Sequence, residues 1–190
     1  MRPTDLKVDP MRAAVLLIDI QEKLLAAMQQ ARQDKVIKAA RAVVELARRF
    51  ELPVVVSQQY PKGLGQTVGP VEEMLGGLND LHRFDKTEFS VCGNAAWDDI
   101  QGRVGRSQWI ALGMESHVCV YQTVRDLCDR QAQVFVAGDA VCSRTDENRA
   151  NGLDLMERCG AVVTSSEAVI FDVLGKAGGD DFKVLSKMIR

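Results

Sequence analysis

Short apolar runs alternate with helical patterns along the whole chain, and that alternation narrows the folds open to it. AAVLLID spans Ala13 to Asp19, PVVVS spans Pro53 to Ser57, and QWIALG spans Gln108 to Gly113. QVFVAGD (Gln133 to Asp139) and GAVVTS (Gly160 to Ser165) follow. Most are apolar throughout instead of alternating, as strands covered on both faces must be. Between them, Asp34 to Glu51 carries Val36, Ala39, Ala40, Val43, Val44, Leu46, Ala47 and Phe50 along one helical stripe. Thr145 to Arg158 and Glu167 to Leu174 read as further helices, and a short apolar element around Phe84 precedes Lys86. This order predicts a three-layer, doubly wound α/β fold of Rossmann-like type. Right-handed crossovers then give six mostly parallel strands in the order 3-2-1-4-5-6. The Gly- and Pro-rich stretch Tyr60 to Asp80 reads as a loop with a short helix over the active end of the sheet.

The 190 residues are read as a single domain, residues 1–190, with 46% hydrophobic and 26% charged side chains. A net charge of −2 offers no basic footprint for nucleic acid, so no nucleic-acid partner is expected. No apolar run approaches a membrane span, and the N-terminal apolar stretch is too short for a secretory core. The five cysteines (Cys92, Cys119, Cys128, Cys142 and Cys159) are scattered and form no CxxC pair. That argues against a disulfide framework or a zinc site and for a cytoplasmic chain. No GxGxxG follows the first strand and no phosphate-binding glycine loop is present, so no cofactor is expected.

The run WIALGMESHVCVYQTVRDLCDR, Trp109 to Arg130, passes from strand through a Gly and a polar turn into a helix. Cys119 falls in the first helical turn, just past the carboxyl end of a strand. Helix N–H groups there favour thiolate over thiol, and open α/β sheets place ligands there. The alternative is a small core hydrophobe. Asp19 ends the first strand at the same sheet edge and is positioned to accept a thiol proton. In DIQE it also has the spacing of a helix cap, with Glu22 three residues on. Asp139 ends another strand and rivals it on position. Lys86, if buried, would hold that carboxylate ionised and stabilise the thiolate; otherwise it is a solvated surface lysine. His82 and His117 invite a Cys–His dyad, with His117 read chiefly as a turn or pocket-wall residue.

Taken together, LLIDIQEKL, VVVSQQYPKGLG, DKTEFS and ALGMESHVCVYQTVRDL resemble the isochorismatase-like cysteine hydrolase family, from about Ala13 to about Leu174. The resemblance is closest to the isochorismatase-domain subgroup, many of whose substrates are unassigned. It implies an Asp–Lys–Cys triad at Asp19, Lys86 and Cys119. The family's G-x-x-T-x-x-C turn is matched by Gly113 to Cys119, with Ser116 in place of threonine. It further implies a cis peptide at Met114–Glu115, an oxyanion hole from the backbone N–H groups of Glu115 and Cys119, and a homo-oligomer. VSQQYPKG lacks the metal-holding histidines of the family's nicotinamidases, so no metal is expected. Vinyl-ether isochorismatases lack the cysteine, which favours acyl transfer here.

The resulting expectation is a hydrolase of a small-molecule amide or related acyl substrate, working through a thioester. Gln21, Gln58, Tyr60, Phe89 and His117 are candidate pocket walls. Two alternatives stand beside it. One is an isochorismatase-type vinyl ether hydrolase using Asp19 and Lys86 with Cys119 as bystander. The other is a non-catalytic oligomeric scaffold.

Overall fold

A computed structural model describes residues 3–190. Its centre is a sheet of six strands in which every pairing is parallel. β1 (Ala13–Ile18) lies between β2 (Val54–Gln59) and β4 (Gln108–Met114). β3 (Leu81–Lys86) flanks β2, while β5 (Gln133–Cys142) and then β6 (Val162–Thr164) extend the other side. The order 3-2-1-4-5-6 is the one that the alternation predicts.

Both faces of the sheet are covered, which explains strands without polar alternation. In β1, Ala13, Val15 and Leu17 point to one face and Ala14, Leu16 and Ile18 to the other, and all are buried. The first face packs on α2 (Gln30–Phe50), α8 (Ser166–Leu174) and α9 (Gly179–Ile189). The second packs on α5 (Trp97–Val104), α6 (Tyr121–Asp129) and α7 (Asp146–Arg158). Each fully buried Leu or Val side chain contributes about 1.5–3 kcal/mol by leaving water.

Several local readings change. The Tyr60 to Asp80 stretch holds two short helices, α3 (Pro61–Leu64) and α4 (Gly69–Leu75), and then leads into β3. Asp19 caps nothing. Helix α1 (Glu22–Ala26) has Gln21 at its N-cap, without a side-chain cap bond. Cys119 lies not in an ordinary α-turn but in a π-helical turn, Ser116–Val120, that runs into α6. Among the described residues no helix is long and apolar enough to cross a membrane.

Two glycines bring the backbone together around that turn. Gly113 has φ +136°, and a Cβ there would lie 1.9 Å from the Ile18 carbonyl oxygen. Gly152 of α7 faces the turn itself, where a Cβ would lie 2.6 Å from the Ser116 carbonyl carbon and oxygen. The β4–β5 ladder also slips. Ala111 pairs with Val136, yet Gly113 pairs with Val141, so β5 advances five residues while β4 advances two. The slip carries the end of β5 level with Met114, and the next residues, Ser143 and Arg144, reach the turn.

Candidate active site

The carboxyl ends of β1, β2, β3 and β4 converge on Asp19. This residue follows β1 with φ +53°, a left-handed conformation that Asp tolerates better than most side chains, and it is fully buried. Ser57 Oγ donates to Asp19 Oδ1 at 2.7 Å and Lys86 Nζ donates to Oδ2 at 2.6 Å. Strand order makes this meeting obligatory: Ser57 pairs with Ile18 and Lys86 with Gln59, so β2 bridges the two charged residues.

Lys86, the last residue of β3, is 2% exposed. Besides Asp19, its Nζ reaches Gln59 Oε1 at 2.8 Å and the carbonyls of Phe89 at 3.1 Å and Glu88 at 3.2 Å. Four acceptors for three N–H bonds leave the ammonium fully engaged. A buried charge tolerates burial only with such pairing.

Cys119 comes from the other side, 6% exposed. Its thiol is pushed up to about 12, first by burial, then by the Asp19 charge and the hydrogen bond to it. Lys86 and the backbone N–H of Glu115 pull the other way without prevailing. The helix terminus and Lys86 are present, but desolvation and a like charge outweigh them. The peptide bond Met114–Glu115 is cis.

The remaining sequence candidates divide by what their side chains touch. Gln21 is fully buried and brackets Gln59, taking its N–H at 2.7 Å and donating to its carbonyl at 3.0 Å and to that of Gly65 at 2.7 Å. Gln58 accepts from Thr67 N–H at 2.8 Å and donates to Asp85. Both therefore fasten the segment after β2. Tyr60 and Phe89 are exposed at the rim. A cleft of about 320 Å³ opens beside Tyr60, lined also by Lys62, Lys86 and Asn94. His117 is half-buried, with Nδ1 3.0 Å from Ser143 Oγ. Asp139 holds the start of α8 through the N–H and hydroxyl of Ser166. His82 pairs with Asp80 towards the opposite end of β3. A larger hollow of about 530 Å³, lined by Ile37, Arg41 and Met188, contains none of the site residues.

Sequence reading missed Ser57 and Gln59. Both look like ordinary polar residues at a strand end. The usable signal was their shared face, two residues apart on β2, once β2 is placed between β1 and β3.

A parallel sheet with buried Asp, Lys and Cys gathered at its carboxyl edge defines a class of α/β proteins, and comparison identifies which. Residues 13–168 match the isochorismatase domain model. The chain is 34% identical over 182 residues to the secreted isochorismatase effector Isc1 of Phytophthora sojae, covering 95% of this chain and 86% of that protein. It is 32% identical to human isochorismatase domain-containing protein 2, covering 100% and 88%. A solved structure described as MAR1 ribonuclease from Caenorhabditis elegans superposes with a TM-score of 0.86 at 36% identity, covering 96% and 92%. The chain belongs to the isochorismatase family of hydrolases.

Proposed function

We propose that the protein is a cysteine-dependent hydrolase of a small amide or related acyl compound, with Asp19, Lys86 and Cys119 as its catalytic groups. One observation carries the reading: the buried Asp19 carboxylate is held by Ser57 and Lys86 and also receives the Cys119 thiol. A thiol resting near 12 is not a nucleophile at neutral pH, so its proton must leave as attack occurs, and Asp19 is the acceptor in contact. As the S–C bond forms, the carbonyl electron pair moves onto oxygen, where the backbone N–H groups of Glu115 and Cys119 meet it. Collapse breaks the C–N bond, and the leaving nitrogen takes the proton from Asp19. Water then gives a proton to Asp19 as its oxygen bonds the acyl carbon, the C–S bond breaks, and the sulfur recovers the proton. Lys86 stays paired with Asp19 throughout.

Incubation with small amides and ureido acids tests this by mass detection of an acyl adduct on Cys119. A second reading, vinyl ether hydrolysis by Asp19 and Lys86 alone, is favoured by the high thiol value, and full activity in Cys119→Ala selects it. The substrate is a small molecule, because the reacting groups are buried and a nucleic-acid backbone needs a basic channel to reach them. Turnover of RNA by the wild type but not by Asp19→Asn overturns that choice.

The reading includes self-assembly and a reducing compartment. Tyr60 and Phe89 leave 55% and 53% of their surface in solvent, apolar area that a second copy would cover. The five free thiols suit the cytoplasm. Sedimentation velocity tests assembly, and a monomer at tens of micromolar rejects it.

A further inference from the structure

We propose that Arg144, outside the Asp–Lys–Cys group, is a positioning residue for the Cys119 turn and acts through Glu115. The inference rests on the proposed role of Cys119 for its meaning, but its geometry is independent of that role. Glu115 is the hinge between β4 and the π-helical turn, and its carbonyl, N–H and carboxylate are all engaged. Its carbonyl accepts from Val118 N–H at 3.1 Å and Val120 N–H at 3.2 Å. Its own N–H is directed to the Cys119 sulfur. Its carboxylate, 10% exposed, takes the backbone N–H of Arg144 at 3.0 Å and the guanidinium Nε at 3.1 Å on one oxygen, Oε2.

Two adjacent residues therefore grip the turn at two points. Ser143 Oγ meets His117 Nδ1 at 3.0 Å while Arg144 holds Glu115. The slip in the β4–β5 ladder makes this possible: Ala111 pairs with Val136, a register that would set Asp139 opposite Met114, whereas after the slip Cys142 stands there and Ser143 and Arg144 follow at the turn. A buried carboxylate must be satisfied somewhere, and here its partner ties the loop after β5 to the donor at the sulfur. The Arg144 side chain is 61% exposed and touches neither Asp19 nor Lys86, so its removal leaves the ion pair intact.

The test reads Cys119 directly and needs no substrate. Wild type, Arg144→Ala, Arg144→Lys, Glu115→Gln and the Ala/Gln double variant are alkylated with iodoacetamide at pH 8, and labelling is followed at each cysteine by mass spectrometry. Loss of the tether weakens the N–H contact that favours thiolate, so Arg144→Ala slows Cys119 labelling roughly tenfold, the worth of one charge-assisted hydrogen bond. Arg144→Lys recovers most of the rate, and the double variant is no slower than the worse single one, as expected of groups acting in series. Labelling of Cys92 and Cys128 stays unchanged, as does the melting temperature. A Cys119 rate within twofold of wild type in Arg144→Ala overturns the proposal. So does a faster rate, or a parallel change at Cys92 and Cys128, which would mean general loosening. Failure of the thioester chemistry is seen separately, as activity surviving in Cys119→Ala, and leaves the labelling result standing.

Discussion

Replacing Asp19 by Asn should make Cys119 more reactive while abolishing turnover. The thiol rests near 12 because it is buried and because Asp19 sits against it as a charge and as a hydrogen-bond acceptor. Asn removes the charge, keeps the shape and can donate to a thiolate. Two like charges about 4 Å apart repel by about 4 kcal/mol at an effective dielectric constant near 20. That is about 3 units, so the thiol should fall to about 9. At pH 8 the thiolate population then rises about 1,000-fold, while the lower basicity of the sulfur gives back roughly 20- to 30-fold in nucleophilicity. The net gain in alkylation is a few tens-fold. The assay is the iodoacetamide rate at Cys119 from pH 6.5 to 10.5. Wild type should climb tenfold per unit without levelling, and Asp19→Asn should bend towards a plateau near pH 9. Lys86 left without its carboxylate would cost about 3–5 kcal/mol at neutral pH, where the sulfur is still protonated, and a melting curve checks that the variant is folded. An Asp19→Asn rate at or below wild type, or a profile without a bend, refutes the electrostatic account. Retained turnover refutes the role of Asp19 as proton acceptor.

Asp19→Asn, Lys86→Ala and Cys119→Ala should each remove most turnover, and any pair little more than one, as groups acting as a unit are non-additive; additive losses in single-turnover kinetics would separate them. Ser57→Ala removes one of the hydrogen bonds on a fully buried carboxylate, so urea unfolding should show a loss of about 1.5–3 kcal/mol. Gly113→Ala places a methyl group where the Ile18 carbonyl lies, so it should cost more than about 4 kcal/mol or yield no folded protein; a loss under about 1 kcal/mol would contradict the close approach. Cys119 and Cys142 both stand at about 12 against an ordinary 9.0, raised chiefly by burial. They stay protonated in the folded chain while the unfolded chain ionises, so the associated stability is full below pH 9 and is lost as pH rises from 9 to 12. Each contributes at most roughly 4 kcal/mol to that loss, and Cys142→Ala should flatten the alkaline slope of urea stability measured between pH 8 and 10.5.

The central sheet was legible because β1, β2, β4 and β5 are apolar on both faces, a pattern that few other folds require. α5 went unassigned although Trp97, Ile100 and Val104 recur at helical spacing and are buried. α9 offered less, as it buries only Leu185 and Ser186. Asp19 and Cys119 could be nominated because one follows a strand visible in hydropathy and the other opens the helix after one, whereas Lys86 joined them only through the family resemblance. Ser57 and Gln59 could not, since only lateral register distinguishes them from Gln58. The raised thiol of Cys119 was not legible for a related reason. Sequence displays the helix terminus and the cation, but the removal of water and the nearness of Asp19 belong to the folded volume.

The saturation of Lys86 separates chemistry from recognition. An ammonium with every proton committed to the protein has none to donate to a ligand, so it acts on the site through its charge and not through a hydrogen bond of its own. On the proposed function, selectivity then falls to the rim, where the side chains of Tyr60 and Phe89 are exposed and that of His117 is half-buried. Such a molecule can trade one substrate for another by altering its mouth alone, its reacting centre untouched. A practical corollary is that transplanting rim residues between relatives should move substrate preference more than any change among the buried groups.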